Sequence, residues 1–104
     1  MASVSVSGVK VTYRFLVDDS ESHQERRFTR TDTWPPMMPL PYVGAYVVPA
    51  ETLAAREVVR LVLVPHAEAM ILEFRFDAMV NVLGPQVEAL LEAGFHEIEP
   101  TPRP

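Results

Sequence analysis

Between Glu57 and Asp77 the chain reads EVVRLVLVP, then HAEAM, then ILEFRFD, and this stretch constrains the fold more than any other. Met70, Leu72, Phe74 and Phe76 alternate with Ile71, Glu73 and Arg75, the period of a strand with one buried face. The first half is almost continuously apolar, rich in β-branched Val and broken by Arg60. A four-residue loop of Pro65, His66, Ala67 and Glu68 would place Val64 opposite Ala69. Leu63 then faces Met70, Leu61 faces Leu72 and Val59 faces Phe74, all on one side. On the other side Arg60 falls opposite Glu73, an opposite-charge pair contributing ~0.2–1 kcal/mol. A slip of one residue would lose both matches. A hairpin at the centre of the fold is expected.

Upstream, Val9, Val11, Tyr13, Phe15 and Val17 alternate with Lys10, Thr12, Arg14 and Leu16, which predicts a first strand over residues 3–17. Val4 and Val6 have the opposite parity, so Gly8 marks a bulge or bend. The acidic connection DDSESHQE leads to a second strand from Arg26 to Trp34, anchored by Phe28 and Trp34. The two should pair as a hairpin. Four prolines in WPPMMPLPY remove ladder donors and favour extended geometry, predicting a polyproline-like crossing from Trp34 to Tyr42. A short third strand is expected over Tyr42 to Val48, bent at Gly44.

After Asp77 the period changes. Val80, Leu83, Val87, Leu90 and Leu91 lie at helical spacing, Pro85 suits a first turn, and Gly94 suits a left-handed cap. The regular helix is therefore expected over Pro85 to Ala93, followed by a short edge strand at Phe95 to Glu99. Its apolar face would cover Val62, Val64 and Ile71 on the outer side of the central hairpin. These elements make one globular domain over residues 1–99, with a proline-rich tail at 100–104.

The expected class is mainly β with one C-terminal α-helix, a small antiparallel SH3-like barrel or strongly bent sheet. The likeness to SH3-like barrels is one of strand count and spacing over roughly residues 9–77, with Pro41 and Gly44 marking entry to the third strand. It carries no family motif. A two-layer α+β sheet is the alternative.

Composition narrows the function classes. The 104 residues contain 48% hydrophobic and 22% charged side chains, ordinary for a globular domain. With no cysteine there is no disulfide framework, thiolate ligand or thiol nucleophile. No window approaches the ~18 apolar residues of a membrane span, and the start lacks the pattern of a signal peptide, so the expected location is cytoplasmic. Lys10 is the only lysine beside eight arginines, a bias typical of GC-rich bacterial or phage genes. A net charge of −5 opposes a duplex-binding surface.

Phosphate loops, nucleophile elbows, metalloprotease helices and Ca²⁺ loops are absent from the sequence. No cofactor and no metal site are expected. His23, His66 and His96 are far apart and belong to solvated turns. Three constellations remain. The first is Trp34, Pro36, Met37, Met38, Pro39, Leu40 and Tyr42, an extended apolar segment with a P-x-x-P spacing. Such a segment loses little entropy on binding, and methionines adapt to varied partners. It equally suits a plug for the open end of a barrel, with Trp34 and Leu40 packed inside. The second, Arg14, Arg26, Arg27 and Arg30, could present cations and aromatics to a single-stranded nucleic acid, although Tyr13, Phe15 and Phe28 fit the buried face. The third is an acid–base or metal site on the loop of Asp18, Asp19, Glu21, His23 and Glu25. The reading favoured is a non-enzymatic module that binds another protein or itself, a homodimer included.

Overall fold

In the computed structural model, which describes residues 8–19, 24–77 and 83–98, the alternating segments build one five-stranded sheet. Strand β1 (Val9–Asp19) and strand β2 (Gln24–Trp34) form the antiparallel hairpin. Strand β5 (Arg60–Val64) and strand β6 (Ala69–Asp77) form the second, in the register expected: Arg60 opposite Glu73, Leu61 opposite Leu72, Leu63 opposite Met70. The intervening turn at Pro65–Ala67 is a 3₁₀ helix, closed by Glu68 in left-handed geometry with φ 49°.

The two hairpins do not join as a meander. Strand β6 lies parallel to β1, pairing Val11 with Met70, Phe15 with Phe74 and Val17 with Phe76. The sheet order is β5-β6-β1-β2-β7, with strand β7 (His96–Ile98) antiparallel to β2. The sheet is thus mixed rather than antiparallel, and it is open: no closed barrel is found among the described residues. The third strand also differs from expectation. Only Tyr46–Val47 (β3) is regular, and it pairs with Arg56–Glu57 (β4) in a separate two-stranded sheet. The proline-rich stretch before it carries the chain out of the main sheet, because it cannot supply a row of donors.

Helix α1 (Leu83–Glu92) links β6 to β7. Those strands run parallel in one sheet, so their connection must cross a face of it. That face is the one carrying Phe15 and Phe74, not the Val62, Val64 and Ile71 side expected to be covered. Leu90 and Phe95 are buried in the same cluster as Phe15, Phe28, Leu72 and Phe74. Phe15 stacks on Phe74 and Phe76 at 4.9 and 5.0 Å and meets Phe95 edge-on at 5.2 Å. These rings are large apolar surfaces that gain further from offset or edge contacts, and no such cluster is offered by the opposite face. Val87 packs against the core, but Leu91 of the expected stripe is half exposed; Val80 lies outside the described residues.

The C-terminus of α1 is fixed as its sequence suggests. Gly94 adopts φ +91°, its N–H donates to the Leu91 carbonyl, and the Phe95 N–H donates to the Leu90 carbonyl. This is the double bond of a Schellman cap, with Leu90 and Phe95 as its apolar contact. At the start of β1, Gly8 is required for a different reason: a Cβ there would strike the Trp34 carbonyl oxygen and lie 2.6 Å from the Thr33 methyl. Residues 1–7, where the change of parity was read, are outside the described part.

The second face of the sheet carries Thr12, Arg14, Leu16, Arg27, Thr29, Val62, Ile71, Glu73 and Arg75. Among the described residues no helix or strand packs over it. Leu16 and Glu73 are nevertheless buried. Register places Leu16 between Arg27 and Arg75, and Glu73 between Arg14 and Arg60, so long aliphatic stems flank each of them.

Candidate functional site

Beyond Trp34 the chain folds back on itself. The Met38 N–H donates to the Pro35 carbonyl at 3.1 Å, closing a turn in place of an uninterrupted polyproline crossing. Trp34 is buried, and its indole Nε1 donates to the Met38 carbonyl at 3.3 Å. The polar end of the ring is thereby satisfied where it leaves the core. A second turn follows, in which the Ala45 N–H donates to the Tyr42 carbonyl and Gly44 takes φ +96°. Two bonds of 2.8 Å, Gly44 N–H to the Val58 carbonyl and Val58 N–H to the Ala45 carbonyl, tie this turn to the core through buried Val58.

Pinned at both ends, the segment stands over the sheet and encloses an open groove of about 620 Å³. Its floor is Tyr13 and Trp34, and its walls are Met38, Pro39, Leu40, Tyr42, Tyr46 and Val48. Among the described lining residues none is charged. Met37 projects into solvent at 93% exposure, while Leu40, Tyr42, Tyr46 and Val48 are each more than half exposed. Large apolar side chains exposed singly are ordinary, but a contiguous set of them marks an interaction surface. Of the two roles weighed for this segment, Trp34 packs inward as a plug requires, whereas Leu40 does not.

Tyr13 brings a perturbed group to the groove. Burial pushes its phenol above the ordinary value, Asp32 nearby adds to this, and Arg30 opposes it. The hydroxyl stays neutral at physiological pH and retains both donor and acceptor capacity.

Of the first constellation, Trp34, Met38, Pro39, Leu40 and Tyr42 line the groove, joined by Tyr13, Tyr46 and Val48, whereas Pro36 and Met37 are not among its lining residues. Two of those that join could have been found: Tyr46 and Val48 share parity in YVGAYVV, and alternate residues of an extended chain lie on one face, although the turn at Tyr42–Ala45 separates them from Tyr42. Tyr13 could not, because its own strand marks it only as core.

The arginine constellation is divided. Register puts Arg26 and Arg30 on the helix face, beside Val17 and Tyr13, and Arg14 and Arg27 on the other. Arg26 makes a two-pronged bond to Glu97 at 2.8 and 2.7 Å and lies 5.4 Å above the Phe28 ring. Arg30 pairs with Asp32 at 3.3 Å and Arg27 with Glu25 at 3.4 Å. Of the acidic constellation, Asp18 is exposed at the end of β1. Glu25 lies between Arg27 and Arg75. Residues 20–23, His23 among them, and the side chain of Asp19 lie outside the described residues. His66 and His96 are exposed. Among the described residues no three acidic, His or Cys side chains gather as they would around a metal ion, and no helix is long and apolar enough to cross a membrane.

No protein-family model, curated protein or solved structure matches this chain.

Proposed function

We propose that this chain is a non-enzymatic binding module that holds another protein through the groove between Tyr13, Trp34 and the 37–48 segment. One observation carries the reading: a contiguous set of exposed Met, Leu, Tyr and Val side chains around a preformed concavity. Burying such a surface is favourable by about 25 cal/mol per Å². Aromatic residues and methionine are the types enriched where proteins meet. The two turns hold the segment in place beforehand, so docking would not incur the cost of ordering it. With tyrosine hydroxyls as the only ionisable groups among its described lining residues, the groove suits recognition better than acid–base chemistry.

The test is the double variant Met37→Ser/Met38→Ser. Both side chains are exposed, and the Met38 contact to Trp34 is made by its backbone, so thermal unfolding should be unchanged. The wild-type chain, tagged and recovered from its native lysate, should carry a stoichiometric protein partner that the double variant loses. A partner retained equally by the variant would place the binding surface elsewhere.

A further inference from the structure

Among the described residues the five-stranded sheet ends in two edge strands, β5 and β7, and they are not alike. Strand β7 is three residues long and carries His96 and Glu97, the latter tied down by Arg26. Brevity and charge are the ordinary protections of an edge. Strand β5 has neither in its central part. Its sequence is RLVLV; Leu61, Val62, Leu63 and Val64 run without a charge, a proline or a glycine. One side of the strand pairs with β6 and the other with no strand among the described residues. Leu63 of this strand is open as well, at 57% exposure, and Leu61, Val62 and Val64 are partly exposed.

A row of alternating free N–H and C=O groups is complemented by one kind of occupant, another extended backbone at ~4.8 Å. The sequence of β5 reads almost the same in both directions, which selects itself as that occupant. In an antiparallel ladder with a two-fold axis at Val62, Val62 meets Val62 of the second copy. Leu61 meets Leu63 of the second copy, and Arg60 meets Val64 of the second copy. Leu61, Val62 and Leu63 then each have an apolar neighbour on their own face, and Val64 lies beside the aliphatic stem of Arg60. The two Arg60 side chains are separated by about 14 Å of strand, more than a Debye length at physiological salt, so like charges do not oppose the pairing. The rows already present also continue across the joint: Leu72 and Leu61 on the helix face run on into Leu63 and Met70 of the second copy.

We propose that β5 joins β5 of a second copy edge to edge, in antiparallel register about Val62, making a ten-stranded sheet across a homodimer. This surface is distinct from the groove at Tyr13 and Trp34, and the two readings stand or fall separately. Pairing five residues buries less than the ~1,200 Å² of a standard interface, which makes the dimer a weak, concentration-dependent one.

Sedimentation equilibrium of the purified chain should show a mass rising from 11.7 kDa towards twice that value as concentration increases. Amide exchange at residues 61–64 should slow over the same range. Leu63→Lys, at an exposed position, should abolish both effects without changing the far-UV spectrum. Leu91→Lys, exposed on α1, should abolish neither. A wild-type chain still monomeric at about 500 µM would overturn the proposal. So would a dimer that survives Leu63→Lys, or one whose formation leaves exchange at residues 61–64 unchanged. Were Leu63→Lys to unfold, the exchange measurement on the wild-type chain would decide the matter alone.

Discussion

Arg26 is held by neighbours from different parts of the chain, among them the Phe28 ring on its own strand and the Glu97 carboxylate on β7. The hydrogen bonds from Arg26 hold the Glu97 carboxyl below the ordinary glutamate range; slight burial opposes this, and the guanidinium charge adds to it. A depressed carboxylate stabilises the fold fully above its unfolded value of about 4.3. That contribution is lost as pH falls through the lower folded value. Because both side chains are about a third exposed, it amounts to no more than ~1 kcal/mol and weakens with salt. A carboxyl titration by NMR should find Glu97 with a midpoint below 4.3, and Arg26→Met should raise it. An unchanged midpoint would mean the pair does not persist in solution. Arg60 and Glu73 show a further residue-scale feature. The opposite-charge pairing inferred from alternation is present, but at 3.9 Å with the Glu73 carboxylate buried. Cross-strand position was legible; the depth of Glu73 was not, since it depends on the arginines that flank it from β1 and β5.

At the scale of elements, local chemistry marked what local chemistry decides. The β5–β6 register followed from two matched rows of side chains, and the end of α1 from one glycine. Replacing Gly94 by Ala puts a Cβ into a left-handed conformation, which costs about 1–2 kcal/mol. Space is not the obstacle, because the nearest atoms, on Arg30, stand 3.9 Å away. Urea unfolding should therefore show a lower midpoint with an unchanged slope; a midpoint equal to wild type would mean that the cap is dispensable. The third strand was overextended for a stated physical reason. YVGAYVV has the composition of a strand, but a turn at Tyr42–Ala45 occupies its first half, leaving two residues to pair with β4. Composition signals which backbone geometry is tolerated, not whether a neighbour is there to bond it.

For the molecule as a whole, the unread part was the partnership between β1 and β6. Alternation says which side chains share a face, and Val11, Tyr13, Phe15 and Val17 were assigned to theirs. It does not say which strand lies alongside or in which direction. The parallel arrangement brings Phe15 against Phe74, Phe76 and, through the α1 crossover, Phe95. One ring therefore touches three others, two on β6 and one between α1 and β7, all distant from it in sequence. Phe15→Ala should cost ~3–5 kcal/mol, a large share of the 5–15 kcal/mol typical of a domain. Calorimetry should show the transition greatly lowered or absent. A loss below about 1 kcal/mol would show that the cluster is not the hub of the fold. The candidate groove was legible as a segment and not as a concavity, because its floor comes from β1 and β2 while its wall comes from the chain after β2.

The parallel β1–β6 contact also sets an order of events during synthesis on the ribosome. The β1–β2 hairpin can close once Trp34 has emerged, yet the other side of β1 has no partner until β6 follows, ending at Asp77. At 5–20 residues per second that delay lasts about 2 to 9 s. For that interval a half-made sheet presents a central strand as though it were an edge. The acidic stretch at the tip of its hairpin, DDSESHQE, then gives every nascent copy the same negative charge, a repulsion that discourages neighbouring chains on one messenger from pairing before their own β6 arrives.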